Sequence, residues 1–295
     1  GNTATCSQTI TVADTTKPVI TVSGGAATVK CHTSYTDAGA TVRENCDTVV
    51  TVTASGAVDV NLPGAYTISY NASDVCGNAA ETQTRAVTVV DTTQPVLTGC
   101  PVDVTVECSG AVPVAATVTA SDSCAGSVSV SFSQTSTQTA SGCGQFNYTI
   151  TRTWSATDAA GNTATCSQTI TVADTIKPVI AVSGGAATVE CHTSYTDAGA
   201  TASDNCDTSV TVTPSGAVDV NVPGTYTISY SASDVCGNAA VTKTRTVTVV
   251  DTTQPVLTGC PVDVTVECIG DVAAAAVVTA SDSCDGTLVV TATET

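Results

Sequence analysis

The stretch Leu62–Asn78, LPGAYTISYNASDVCGN, decides the fold. Pro63 and Gly64 make a turn. From there the chain alternates, so that Tyr66, Ile68 and Tyr70 share one face, the period of a half-buried strand. Asp74–Asn78 closes a tight loop, and Thr82–Val90 reads as a last strand. Working back from this hairpin, Pro18–Ser23, Ala27–Cys31, Ala40–Arg43 and Val49–Ala54 read as further strands. That is about seven strands in roughly 77 residues, the spacing of a β-sandwich.

The same pattern returns along the chain. The string GNTATCSQTITVADT begins at Gly1 and again at Gly161, a period of 160 residues, and the two copies agree at about 80% of positions. Within each period a Pro-containing mark recurs: Asp14–Pro18, Asp91–Pro95, Asp174–Pro178 and Asp251–Pro255. Proline fixes φ and cannot donate to a ladder, so these marks belong at linkers or strand starts. They divide the chain into two alternating sandwich types. Type A occupies 14–90 and 174–250, and type B occupies 91–173. Residues 251–295 are a truncated type B domain, and 1–13 read as the last strand of a preceding one. Strand donation from 1–13 to the truncated domain is disfavoured, because a piece equivalent to 136–160 would still be missing. The chain is expected to be a window on a longer array. No secretory signal opens it at Gly1, so an exported protein would have its N-terminus elsewhere.

Composition bounds the chemistry. Hydrophobic residues make up 42% of the 295, aromatics only 3%, and there is no Met. Thr, Val, Ala and Ser suit pleated sheets with several thin cores. Fifteen cysteines point to disulfides and an oxidising compartment. Zinc ribbons need closely spaced Cys pairs, and none is present. With 8 basic against 26 acidic residues, net charge −18, a nucleic-acid footprint and docking on anionic membranes are both excluded. No apolar run is long enough to span a membrane.

In type B, Tyr148, Ile150 and Trp154 repeat the inward row, and Asp158–Asn162 repeats the tight loop. Arg152 falls on the inward parity. It either returns to solvent through a bulge or is buried against a carboxylate.

At these motifs the chain resembles two bacterial repeat families. Type A is similar to bacterial Ig-like repeats over Tyr35–Thr41, Asn45–Asp47, Pro63–Asp74, Gly77–Asn78 and Arg85–Asp91. Type B resembles the hyalin (HYR) repeat over Cys100–Pro101, Val104–Cys108, Ala120–Cys124, Tyr148–Asp158 and Gly161–Asp174. It departs from that pattern at Ala159, where a cysteine is common. The resemblance implies an all-β chain of tandem immunoglobulin-like β-sandwich domains in a linear array. It also implies a large secreted or surface-anchored protein of the adhesin type, from Bacteroidetes-like organisms.

Type A has three cysteines and type B five, so each leaves one over. Both types share Val-x-Cys followed by a Cys fifteen or sixteen residues on, which suggests Cys31–Cys46, Cys108–Cys124 and Cys191–Cys206. First and last strands of type B suggest Cys100–Cys166. The remainder suggests Cys143–Cys236 across the linker at 173/174. Local pairing such as Cys46–Cys76, or a bond between fibres, stands beside that reading.

Asp14, Asp37 and Asp74, with Asp174, Asp197 and Asp234 as their repeats, are candidate Ca²⁺ ligands at the N-terminal end of type A; as turn residues they also need no ion. Thr15, Thr92, Thr175 and Thr252 lie in Asp-Thr-Thr or Asp-Thr-Ile motifs similar to a bacterial O-glycosylation signal, and the same linkers also read as unmodified. Catalysis finds no motif. His32 and His192 are one position seen twice, expected at the surface after a strand. The function expected is a structural or adhesive segment of an extracellular fibre, stiffened by disulfides and short Pro linkers and able to self-assemble into filaments. The expected partner is the chain's own repeats. The rivals are a module binding surface glycans or proteins, and a passive spacer carrying an enzyme.

Overall fold

The computed structural model describes residues 1–293, and its regular elements are strands apart from three single-turn 3-10 helices; the last two residues of the expected truncated domain lie outside it. By contacts the chain divides into two compact units, one of residues 1–102, 114–135 and 151–169, the other of 103–113, 136–150 and 170–293.

The first unit opens with a six-stranded sandwich: β1 (Val19–Val22), β2 (Ala27–Lys30), β3 (Ala40–Arg43), β4 (Thr53–Ser55), β5 (Gly64–Asn71) and β6 (Gln83–Val90). β1 and β3 form one sheet, and the other has the order β2-β6-β5-β4. β5 and β6 are antiparallel, whereas β2 runs parallel to the end of β6, with Ala27 opposite Val87 and Lys30 opposite Val90. Val49–Ala54 was expected as a strand, but only 53–55 pair; Val50 and Val52 instead pack against the core. Gly56 turns the chain into the β4–β5 hairpin at φ 102, and a Cβ there would strike the Thr67 carbonyl.

The core follows the alternation. Ile20, Val29, Ile68, Tyr70, Ala72 and Val87 are buried together. At the turn before β5, the Tyr66 hydroxyl donates to the Leu62 carbonyl at 2.8 Å. So thin a core also holds an ion pair. Arg85 on β6 is buried and pairs with Asp37, which accepts the Tyr70 hydroxyl at 2.8 Å. The guanidinium lies 5.8 Å from the centre of the Tyr70 ring and also bonds the Ser23 and Gly39 carbonyls. It thereby ties together loops that the small apolar core cannot.

The rest of the first unit contains β7 (Val96–Thr98), β9 (Thr119–Asp122) and β10 (Gly126–Val128) in a three-stranded antiparallel sheet. β8 (Val104–Glu107) belongs to the second unit. The strands β11 (Val130–Ser136), β12 (Tyr148–Thr157) and β13 (Thr163–Ala173) contribute residues to both units. In the first unit Trp154 is buried, with the Phe132 ring 5.3 Å away. Arg152, 5% exposed, takes the buried alternative rather than a bulge and meets the amide oxygens of Gln134 and Gln168. In the second unit, β8 pairs parallel with 170–173 of β13 over a core of Tyr148, Ile150, Ile170 and Val172.

The second unit then repeats the six-stranded sandwich as β14 (Val179–Val182), β15 (Ala187–Glu190), β16 (Ala200–Ser203), β17 (Val212–Ser215), β18 (Gly224–Ala232) and β19 (Lys243–Val250). Its sheets, core and Arg245–Asp197–Tyr230 cluster match the first copy. A three-stranded sheet of β20 (Val256–Thr258), β21 (Thr279–Asp282) and β22 (Gly286–Leu288) follows. Residues 1–13, expected as a strand, form none and are exposed; their counterpart β13 is held between β12 and β8, and neither has a copy beside them.

Burial alone would push the Asp37 carboxyl up. The Tyr70 hydroxyl, the Arg85 guanidinium and the Gly39 amide outweigh it and hold the group below its usual range. A carboxyl depressed in the folded state stabilises fully above its ordinary pKa and loses that contribution as pH falls through the folded value. Hydrogen-exchange protection of β5 and β6 is therefore expected to weaken below about pH 3.8, the ordinary value. Asp37→Ala, which leaves Arg85 buried without its carboxylate, should lower the same protection by about 3–5 kcal/mol at neutral pH.

Candidate functional site at the domain linkers

Strand direction places the chemistry at the ends of each sandwich. β2 runs parallel to the end of β6, and Cys31, the next residue, donates its N–H to Val90 at 2.9 Å. Cys31 therefore sits where the sandwich exits. β3 runs antiparallel to β1, with Arg43 opposite Val19, so Cys46 returns to the entry end beside Asp14 and Glu44. The loop Asp74–Asn78 closes that same end. Asp74 accepts the Asn78 backbone N–H and side-chain amide, both at 2.7 Å, and the amide also donates to the Asp14 carbonyl at 3.2 Å. Asn162 holds the Asp91 carbonyl and Asn238 the Asp174 carbonyl in the same way. Each of these loops thus clamps the aspartate that begins its linker.

Five disulfides follow from this placement. Cys100–Cys166 joins Cα atoms 6.3 Å apart within one domain, and Cys143–Cys236 joins Cα atoms 4.6 Å apart across the 173/174 linker. Three expected pairs are corrected. Cys31 bonds Cys124, not Cys46, and Cys191 bonds Cys284, not Cys206, because the Val-x-Cys and the following Cys lie at opposite ends of the sandwich. Cys108 bonds Cys206 rather than Cys124: β8 runs parallel to the end of β13 and carries Cys108 to the exit of its domain, whereas Cys124 sits in the β9–β10 turn. Four of the five staples therefore cross a Pro-containing linker. Their sequence separations of 93, 98, 93 and 93 residues are too long for a pattern of neighbouring cysteines to suggest them.

His32 is exposed, at φ 59, and is more than a bare surface residue. Its ring meets Asn61 at 2.7 Å and the carbonyl of Ser123, next to Cys124, at 2.6 Å. Among the candidate cation ligands, Asp37 and Asp197 are not at the linkers; the arginine clusters of the sandwich interiors take them. Asp74 and Asp234 carry the asparagine clamps. Asp174 is buried. Burial, then the charges of Asp204, Asp234 and Glu107, push its carboxyl above the usual range. The side chains of Thr15, Thr92, Thr175 and Thr252 lie on exposed residues, with Thr175 and Thr252 bonded to Glu107 and Glu190.

Residues 20–89 and 181–249 match the model of the Ig-like domain of bacterial surface proteins, and 97–172 match that of the HYR-like domain with four cysteines. The chain is a tandem array of these two domain families. No curated protein matches it. Among solved structures, the EC22-24 fragment of mouse cadherin-23 is 13% identical over 80% of this chain and 99% of that one, with a TM-score of 0.34. Extracellular cadherin domains 1-5 of protocadherin gamma B2 are 15% identical over 76% of this chain, with a TM-score of 0.33. The chain covers 53% of that protocadherin fragment. Surface-protein Ig-like domains and disulfides both fit an extracellular location. Among the described residues no helix is long and apolar enough to cross a membrane.

The unbonded cysteines obey the 160-residue translation. Cys6, Cys46, Cys76, Cys260 and Cys268 are free and exposed. They occupy the positions of Cys166, Cys206, Cys236, Cys100 and Cys108, all bonded in the other copy. Alkylation of the oxidised chain is expected to label those five, and non-reducing peptide mapping to yield the five cross-links above. A Cys31–Cys46 peptide would contradict this connectivity.

Proposed function

We propose that the Ig-like and HYR-like domains form a load-bearing segment of an extracellular adhesive array, in which disulfides rather than domain surfaces carry the function. The observation that supports it is the overlap of the five loops. Cys31–Cys124, Cys100–Cys166, Cys108–Cys206, Cys143–Cys236 and Cys191–Cys284 each begin before an earlier one ends. Between Cys31 and Cys284 every peptide bond therefore lies inside at least one disulfide loop. A chain pulled from its ends follows the shortest covalent path. In each repeat that path is 16 residues from Cys124 back to Cys108 and 15 from Cys206 back to Cys191, about 31 of 160. At about 3.5 Å per residue the fully stretched repeat reaches about 110 Å instead of about 560 Å.

Self-association enters through the same sulfurs. Cys46 and Cys76 present on the first Ig-like domain the positions that Cys206 and Cys236 fill on the second with bonds to Cys108 and Cys143. Their fitting partner is another HYR-like domain bearing the counterparts of Cys108 and Cys143. Repetition then sets length, and filament growth is end-to-end addition of domains.

A protease site inserted at 251–254, a linker spanned by Cys191–Cys284 alone, tests the reading. Cleavage should release no fragment on a non-reducing gel and release one after reduction. Release without reduction would contradict it. In single-molecule extension the oxidised chain should reach about a quarter of its reduced contour length.

A further inference from the structure

Six buried carboxylate oxygens of the described residues have no hydrogen-bond partner: Asp14 Oδ2, Asp122 Oδ2, both of Asp174, Asp204 Oδ2 and Asp282 Oδ2. All six lie at the linkers. Three belong to the linker-opening aspartates Asp14 and Asp174, and the other three to Asp122, Asp204 and Asp282, each of which opens an Asp-x-Cys turn. At each linker the opening aspartate stands beside another acid and a cysteine, with one ligand atom of each within 4.8 Å of the others. The groups are Asp14–Glu44–Cys46, Asp91–Asp122–Cys124, Asp174–Glu107–Cys206 and Asp251–Asp282–Cys284. Asp174 and Asp122 are only 3% and 7% exposed.

The turns hold these acids ready. Asp122 Oδ1 accepts the Cys124 and Ala125 amides, at 2.7 and 3.0 Å, leaving Oδ2 bare. Asp204 and Asp282 use Oδ1 in the same way on Cys206 and Cys284 and leave Oδ2 bare. Asp174 is fixed through its backbone, its N–H donating to Asn147 at 2.6 Å and its carbonyl accepting from Asn238 at 3.0 Å, while its carboxylate meets no donor. A buried carboxylate without donors is strongly disfavoured unless a cation or a proton neutralises it. Among the described residues no Lys, Arg or His forms an ion pair with any of these acids. Asp174 stands beside Glu107, and the charge of Asp204 also acts on it; one proton shared among the three would still leave two negative charges together. The sulfurs of Cys124, Cys206 and Cys284 are committed to disulfides and offer no thiolate, so only oxygen ligands remain, the set that suits a hard cation.

We propose that Asp174, with Asp204 and Glu107, holds a calcium ion beside the Cys108–Cys206 staple, and that Asp91 with Asp122 forms the equivalent site beside Cys31–Cys124. The ion neutralises the linker acids, so that the staples and the asparagine clamps close over a site without net repulsion. This inference does not rest on the load-bearing function, and either can fail alone.

Titration calorimetry of the oxidised chain with CaCl₂ tests it, alongside thermal unfolding in EDTA, Ca²⁺ and Mg²⁺. The expected results are binding in the roughly 0.1–1 mM range of extracellular modules, a rise in the unfolding temperature with Ca²⁺, and the loss of one binding equivalent in Asp174→Asn. That variant should be more stable than the parent in EDTA and less responsive to Ca²⁺. Asp204→Asn, altered at a less buried residue, should lose the same equivalent if Asp174→Asn does not fold. A parent chain that ignores Ca²⁺, or variants that bind it unchanged, would overturn the proposal. So would an Asp174→Asn chain stabilised equally in EDTA and in Ca²⁺, because the buried carboxyl would then carry a proton. A response to Mg²⁺ equal to that of Ca²⁺ would overturn the assignment of the ion.

Discussion

The parallel pairing of β2 with the end of β6 governs where everything else in the Ig-like domain can act. It carries the Val-x-Cys of the second strand to the exit of the sandwich, while the antiparallel return of β3 carries the next cysteine to its entry. Two cysteines fifteen residues apart in sequence are thus held apart by the length of a strand. Neither can reach the other, and each is left facing a neighbour. In the HYR-like domain β8 pairs parallel with the end of β13 and delivers Cys108 to an exit in the same manner. Stapling across linkers is therefore a consequence of strand direction, not of a special loop.

The composition explains why such staples matter. A core of Ile, Val, Ala and a few tyrosines buries little apolar surface per domain. Each Ig-like domain places a buried Arg–Asp–Tyr cluster where a larger apolar core would otherwise stand. Buried ion pairs contribute more to holding one arrangement than to net stability. Cross-linking acts mainly on the unfolded chain, where closing a loop of about 90 residues removes on the order of 4–5 kcal/mol of conformational entropy. Thin cores and long loops are complementary: the weaker the domain, the larger the share of its stability that the loop supplies.

Much of this was legible in the chain itself. Alternation gave the inward rows Tyr66, Ile68, Tyr70 and Tyr148, Ile150, Trp154, and the odd cysteine counts pointed to Cys143–Cys236. Local spacing misled for Cys31, Cys108 and Cys191, because partners 93 or 98 residues away are set by sheet topology. The one available signal was positional: a cysteine directly after a short second strand, and another two residues after an acid in a turn. Asp37 misled in a different way. Read as a turn residue or cation ligand at the entry end of the domain, it instead gives its carboxylate to an arginine 48 residues on. Arg152 on the inward parity was a correct reading of the strand period, and its amide partners, the exposed Gln134 and the buried Gln168, lie on other strands.

The cysteine complement also constrains the order of domains. An Ig-like domain offers one cysteine at its exit and two at its entry. A HYR-like domain keeps two for itself, offers two at its exit and receives one at its entry. The numbers balance only when the types alternate. Two Ig-like domains in succession would set one exit cysteine against two entry cysteines, and two HYR-like domains would do the reverse. The smallest unit that can be added without stranding a sulfur is thus the pair of domains, and a duplication of 160 residues is the step by which such an array lengthens with every staple intact.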